Sequence, residues 1–253
     1  MSMGTFLREL QAKCFAKPLP PRDTFDGQNI LVTGGTSGLG SALAIHFANL
    51  GASKVIITYR DKSKGEAARQ KIEAAARANG NTTVQVEAME LDLSRYSSCV
   101  AFFDELVGRF EDGGGCIDIA VLNAGTLNTA FSESPEGWED SIQANTLSTA
   151  LLGILLLSWM KDGRHNRQAP PHIVFVNSGR HFSPDISKWS EWEKRDGGIL
   201  LHFSSASNWP TQGGFDAMYG ISKLLMMYAL EEICKLSISP DGKYVIESIS
   251  SRL

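Results

Sequence analysis

Tyr219 and Lys223 stand four residues apart in the stretch Met218-Tyr219-Gly220-Ile221-Ser222-Lys223. In a helix that spacing places both side chains on one face. A phenol, with a reference pKa of about 10, is a poor base near neutral pH, but an adjacent ammonium stabilises the phenolate. The pair could pass a proton to or from an oxygen atom of a ligand; chance placement on an exposed helix surface is the competing reading. Ser178 follows the apolar run His172-Ile173-Val174-Phe175-Val176-Asn177. Its hydroxyl could bond a carbonyl oxygen beside Tyr219, or close a turn at a strand end. Asn145 lies among apolar neighbours in Ile142-Gln143-Ala144-Asn145-Thr146-Leu147. A buried amide needs partners, and the neighbouring backbone could supply them.

A second constellation suits phosphate. Thr33-Gly34-Gly35-Thr36-Ser37-Gly38-Leu39-Gly40 follows the apolar run Ile30-Leu31-Val32 and opens a helical pattern from Leu39 to Leu50. Glycines permit positive φ and remove the Cβ atoms that would block a ligand. The start of the helix then offers free amides and the positive end of its dipole. The spacing is TGxxxGxG rather than the GxGxxG of the general dinucleotide fingerprint, and glycine turns of this kind also occur without a ligand. Asn123-Ala124-Gly125 ends another apolar run, where small residues leave room for a flat ligand. Asp92 ends the run from Val84; it could cap a helix or contact an adenine amino group.

These residues need a scaffold, and the pattern supplies one. Apolar runs predict strands at 29–33, 54–59, 84–89, 117–122, 172–177 and 244–249, with helices near 39–50, 64–79, 95–110, 136–161 and 217–236. Alternating strands and helices, with strands apolar almost throughout, predict an α/β fold: a doubly wound, Rossmann-type parallel sheet in three α/β/α layers. Ligands in such sheets bind at the carboxyl ends of the strands, where the glycine segment lies. Residues 27–253 form this single domain. Residues 1–26 read as an arm, with Phe6, Leu7, Leu10, Cys14 and Phe15 on one face of a short helix that Pro18, Pro20 and Pro21 end. The stretch from about 183 to 214, rich in Trp, Gly and Ser, reads as an insertion. Trp189, Trp192, Phe203 and Trp209 there either line an apolar pocket or pack the insertion down.

Bulk properties exclude several classes. The chain has 253 residues, 43% apolar and 21% charged, with a net charge of −4, so it is an ordinary globular protein. No basic block marks a nucleic-acid partner. Cys14, Cys99, Cys116 and Cys234 are dispersed, without metal-ligand spacing, and read as reduced thiols in a cytoplasmic protein with no metal. Arg8, Glu9, Lys13 and Lys17 interrupt any secretory signal. Leu147–Met160 is too short for a membrane span and reads as a buried helix.

Taken in order, these motifs resemble the short-chain dehydrogenases/reductases over about residues 27–249. TGGTSGLG is similar to the family's cofactor loop and NAG to its structural motif, while Asn145, Ser178, Tyr219 and Lys223 match its catalytic tetrad. The arm, the wording VNSGRHF and the insertion look most like fungal members linked to secondary metabolism. The resemblance implies that Tyr219 is the general acid/base and that Lys223 lowers its pKa and binds the nicotinamide ribose. It implies that Ser178 orients the substrate oxygen and that Asn145 holds a water linking Lys223 to solvent. Thr33, Gly34, Thr36, Ser37, Gly38, Leu39, Gly40, Asp92, Asn123, Ala124 and Gly125 would join them in holding the cofactor. At the end of the second strand Tyr59 and Arg60 stand where an acidic residue would select NAD. Arg60, helped by Lys64, therefore predicts NADP(H), although the glycine loop carries Ser37 where NADP-using relatives often have a second basic residue. The expected reaction interconverts a ketone and a secondary alcohol on a small organic substrate. A homodimer through the helices near 136–161 and 217–236 is also expected.

Family members continue past the sixth strand with a Pro-Gly loop, a further helix and a strand. Here Ser250-Ser251-Arg252-Leu253 stands instead, so the expectation is a domain lacking the usual last helix and strand. That departure supports one alternative, a catalytically silent dinucleotide-binding or interaction protein. A sugar-nucleotide epimerase fits less well, since such chains open with GxxGxxG.

Overall fold

The computed structural model describes residues 20–111, 115–162, 170–210, 216–238 and 247–252. The predicted arm helix, residues 244–246 of the sixth predicted strand and the end of the insertion lie outside them.

Six strands form one sheet: β1 (Asn29–Val32), β2 (Lys54–Tyr59), β3 (Gln85–Glu90), β4 (Ile119–Leu122), β5 (His172–Asn177) and β6 (Glu247–Arg252). Their order is β3-β2-β1-β4-β5-β6, and every neighbouring pair is parallel. The central strands are buried on both faces: Val55, Ile56 and Ile57 of β2 and Ile30 and Leu31 of β1 have no exposed surface. Continuous β-branched runs therefore suit a sheet covered on both sides.

Helices α1 (Gly38–Asn49) and α2 (Lys62–Ala78) cover one face. Their small residues Ala44, Ala48, Ala68 and Ala76 let the backbones lie close to Ile30, Val32, Val55 and Ile57. On the other face lie α3 (Tyr96–Glu111), α5 (Thr149–Asp162) and α8 (Ala217–Leu236). They pack Phe102, Leu106, Leu152, Leu156, Met226 and Leu230 against Leu31, Ile56, Leu122 and Phe175. The three layers expected from the sequence are present.

One expectation needs correction. The predicted helix over 136–161 is not continuous. It starts as α4 (Asp140–Ile142), widens into a π-helical segment over Gln143–Ser148, and resumes as α5. Polar side chains fill the widened turns: Gln143 Nε2 donates to Ser148 Oγ at 2.8 Å and Thr149 Oγ1 to the Ala144 carbonyl at 2.8 Å. The span Asp140–Lys161 is long and apolar enough to cross a membrane, with mean hydropathy 1.3, but 67% of its most apolar window is buried inside the protein, as in a core helix.

The expected insertion carries helices of its own, α6 (Trp189–Asp196) and α7 (Ile199–Phe203). Its aromatic residues pack it down. Trp189 and Trp192 meet the Phe203 ring edge-on at 5.9 and 5.7 Å, and Trp192 stacks on His202 at 4.2 Å. This cluster closes over Ile142, Met218 and Ile221, so the insertion sits on α4 and the start of α8.

Candidate active site

β1 lies between β2 and β4, and the chain winds outward through β2 and β3 before returning to β4. Loops leaving adjacent strands at such a reversal diverge and leave a crevice. Here that crevice is a cleft of about 250 Å³ between the loops after β1, β2, β3 and β4.

Thr33 holds two of these loops together. It is 2% exposed, and its Oγ1 accepts from the Asn123 amide at 2.9 Å and the Ala124 amide at 3.0 Å. Asn123 Nδ2 returns a bond to the Thr33 carbonyl at 3.0 Å. Thr33 thus stitches the two strand-end loops together and does not itself line the cleft. Helix α1 approaches this stitch closely: a Cβ on Gly40 would lie 2.3 Å from the Gly34 oxygen and 2.6 Å from Asn123 Nδ2. Ser37 occupies the N-cap position without a side-chain bond, and the first turn holds no acidic residue. Helix starts leave their first amides without intrahelical partners, so this one fits an anion. Gly38, at φ +53°, has open space where a side chain would stand.

Of the residues expected to hold a cofactor, Gly34, Thr36, Ser37, Leu39, Gly40, Arg60, Asp92, Asn123, Ala124 and Gly125 line the cleft. Lys64 does not. The sequence reading missed Thr58, Leu91, Ser94, Thr126 and Ala144, which also line it; several of them adjoin strand ends already singled out. Thr58 Oγ1 accepts from the Gly34 amide at 3.0 Å. Arg60 is exposed at the cleft wall and, among the described residues, has no ion-pair partner. The adjacent Asp61 is engaged elsewhere. It caps α2, accepting from Ser63 N at 2.8 Å, Ser63 Oγ at 2.6 Å and Lys64 N at 3.2 Å. The Ser63 hydroxyl, with these amides, holds its carboxyl below the usual carboxylate range. Asp92 accepts from Ser94 N at 3.0 Å and Ser94 Oγ at 2.9 Å. It closes a turn on Ser94 rather than capping α3, which begins at Tyr96. The glycine cradle, the uncapped helix start and the unpaired guanidinium fit a dinucleotide carrying phosphates.

Of the four residues expected to do chemistry, Asn145 and Lys223 come together at the Gly125 end of the cleft. A Cβ on Gly125 would stand 2.9 Å from Asn145 Oδ1 and 3.8 Å from Lys223 Nζ, so both groups converge there. Asn145 is 1% exposed. Its Oδ1 accepts from Thr126 N at 2.8 Å, and its Nδ2 donates to the Thr126 carbonyl at 2.8 Å and to Ser222 Oγ at 3.0 Å. The widened helix presents this amide, while Ser222 ties it to α8. Ser222, missed in the sequence, also donates to the Tyr219 carbonyl at 2.8 Å; a small polar residue between Tyr219 and Lys223 was its signal.

Lys223 is 5% exposed; Nζ donates to the Val176 carbonyl at 3.0 Å and lies 5.6 Å from the centre of the Tyr219 ring. Burial pushes this ammonium down to about 8. Tyr219 is half-buried, so the pair is not the exposed surface pair of the competing reading. Ser178 caps the short 3₁₀ helix Gly179–Phe182, its Oγ accepting from Arg180 N at 3.3 Å. Asn177 Oδ1 accepts from Ser178 N at 2.9 Å and Asn177 Nδ2 donates to the Lys223 carbonyl at 3.2 Å. The end of β5 is thereby joined to α8 beside Lys223.

A family model described as short chain dehydrogenase matches residues 28–188. The short-chain dehydrogenase/reductase phmF of Phaeosphaeria nodorum is 36% identical over 213 residues, which cover 84% of this chain and 59% of phmF. For ffsI of Aspergillus flavipes the identity is 34%, over 88% of this chain and 62% of the relative. The short chain dehydrogenase sol3 of Alternaria solani is 33% identical, over 99% and 80%. The chain thus spans about three fifths of the length of the first two relatives. A short chain dehydrogenase from Salmonella enterica superposes with TM-score 0.64 at 20% identity, over 92% of this chain and 78% of the other. One from Shigella flexneri, solved with NADP, gives 0.62 at 19% identity, over 91% and 78%.

Proposed function

The chain belongs to the short-chain dehydrogenase family, and we propose that within it this protein is an NADP(H)-dependent oxidoreductase interconverting a ketone and a secondary alcohol. The observation that carries the reading is the buried Lys223 ammonium 5.6 Å from the Tyr219 ring, converging with Asn145 on Gly125 where the glycine cleft ends. A nicotinamide bound there would supply or accept the hydride at the substrate carbon. The chain's own part is to hold and move a proton. Tyr219 gives a proton to the substrate oxygen in reduction and takes it back in oxidation. The Lys223 charge favours the phenolate side of that transfer, and the Ser178 hydroxyl orients the same oxygen. Asn145, anchored to Thr126 and Ser222, fixes the widened helix against Lys223.

Thr36, Ser37, Gly38 and Gly40 would receive the pyrophosphate at the start of α1. Arg60 would meet the adenosine 2′-phosphate, and Asp92 the adenine edge. The NADP in the Shigella structure and the unpaired Arg60 support NADP(H) over NAD(H). The fungal origin of the relatives supports a substrate from secondary metabolism. A homodimer through α5 and α8 belongs to the same reading, supported by the exposed Ile154 and Tyr228; sedimentation showing only monomer at micromolar concentration would reject it.

Tyr219→Phe tests the assignment. Turnover of any carbonyl substrate should vanish while NADPH affinity stays within about twofold, since the phenol acts in the chemical step. Near-normal turnover would remove Tyr219 from its role.

A further inference from the structure

Arg180 is the middle residue of the turn that Ser178 opens. Its amide donates to Ser178 Oγ at 3.3 Å, and its carbonyl accepts from Ser183 Oγ at 2.6 Å. His181 closes the same turn, its Nδ1 lying 2.6 Å from the Ser178 carbonyl oxygen. This turn lies against the first turn of α8. A Cβ on Gly220, the neighbour of Tyr219, would stand 3.0 Å from the Arg180 carbonyl oxygen and 3.3 Å from Ser183 Oγ.

The two turns are joined by an ion pair between Arg180 Nη2 and Asp216 Oδ1. Asp216 stands at the N-cap of α8, three residues before Tyr219. An aspartate there ordinarily accepts from the amides of the first helical turn. Asp216 makes no such cap bond. Its carboxylate, 14% exposed, goes to Arg180 instead. The helix thus forgoes a favourable cap for a contact with the Ser178 turn. Half-exposed ion pairs add little to stability, so holding geometry is the better account of that arrangement.

We propose that Arg180 and Asp216 are a positioning pair: they hold the Ser178 turn against the Tyr219 turn so that hydroxyl and phenol address one substrate oxygen. The inference rests on the reading of Ser178 and Tyr219 given above.

The test uses the 253-residue chain with NADPH and a panel of aryl ketones and 1,2-diketones, following NADPH oxidation. Arg180→Gln and Asp216→Asn should each lower kcat about tenfold with KM within about twofold, because small misplacements of reacting groups reduce rate more than binding. The melting temperature should stay within a few degrees of the parent. The exchanged pair, Arg180→Asp with Asp216→Arg, should recover most of the rate. Amide hydrogen exchange over residues 178–184 should rise in the single variants and return in the exchanged one, and this readout needs no substrate. Unchanged exchange and rate in the single variants, or an exchanged pair no better than either, would overturn the proposal. Tyr219→Phe, run alongside, separates the failures. If it turns over normally, the catalytic reading fails. If it is inactive while the Arg180 and Asp216 variants match the parent, only the positioning pair fails.

Discussion

Replacing Arg60 with alanine tests whether this residue sets cofactor choice. Arg60 is exposed on the cleft wall after β2 and has no ion-pair partner among the described residues. Its removal therefore disturbs little else, and such surface changes shift stability by about 0.5 kcal/mol or less. A guanidinium on a phosphate makes charge-assisted hydrogen bonds worth roughly 1.5–3 kcal/mol. Each 1.4 kcal/mol is a factor of about ten in affinity. Kd for NADPH should rise about 10- to 100-fold in Arg60→Ala, while Kd for NADH, which carries no 2′-phosphate, should stay within about twofold. The Asp61 carboxylate keeps its charge but is turned to the Ser63 and Lys64 amides at the start of α2. Titrations followed by nucleotide fluorescence measure both constants. They should be run at low salt and again near 0.15 M, where a Debye length of about 8 Å weakens an exposed contact. Equal affinity of the parent for both nucleotides, or an equal loss for both in the variant, would refute the reasoning.

Gly40→Ala should destabilise the fold by about 1–3 kcal/mol, the usual cost of overpacking, because its methyl would enter the space of the Gly34 carbonyl and Asn123 amide; thermal unfolding and NADPH titration should both register the change, and an unaltered melting temperature would contradict it. Glu139, without exposed surface, carries a carboxyl pushed up by burial, with neighbouring Asp140 adding to the rise and the amides of Ser141 and Ile142 opposing it. A carboxyl raised in the folded state contributes stability that is complete below its ordinary value and lost as pH rises through the folded one. Glu139→Gln should therefore match the parent near pH 4 and exceed it near pH 8 in denaturant unfolding; a constant difference across that range would count against the burial argument. Lys223 is depressed from 10.5 to about 8, so the parent loses stability as pH falls from 10.5 through 8. Lys223→Met should be the more stable chain at pH 7, by on the order of 2 kcal/mol, with no advantage near pH 11. It should lose nearly all turnover at either pH, and a variant less stable than the parent at pH 7 would refute the sign.

The sheet was legible because β1, β2 and β4 are buried on both faces, and a strand in that setting must be apolar throughout. The glycine segment was legible for a local reason: a close approach at Gly40 admits no other residue. The π-helical segment was not. Gln143, Asn145, Ser148 and Thr149 look like polar positions on an otherwise apolar helix, and only their mutual bonds show that the turn is widened. Nor were α6 and α7 visible. Helix α6 has no fully buried residue, so it carries no strong periodic stripe, and its tryptophans could be assigned to pocket or packing only once Phe203 and His202 were placed beside them. Thr33 matched its motif position, yet it faces inward to hold two loops, and Lys64, expected to help Arg60, is not part of the cleft wall. The bond between Arg180 and Asp216 joins residues 36 apart in sequence, and no local pattern announces it.

The widened helix has a consequence for what this chain can lose. A π turn is in effect an α-helix carrying one extra residue, and each residue turns a helix by about 100°. Deleting a single residue within 143–148 would let the hydrogen-bond ladder close at ordinary spacing. Helices α4 and α5 would keep the faces they now turn to the insertion and to Phe175. The side chains of the widened segment, the Asn145 amide among them, would leave their present partners. In this stretch the packing of α4 and α5 is separable by one codon from the placing of Asn145, and a descendant that dropped it would keep the shape of the protein and lose the bonds that now hold Asn145 to Thr126 and Ser222.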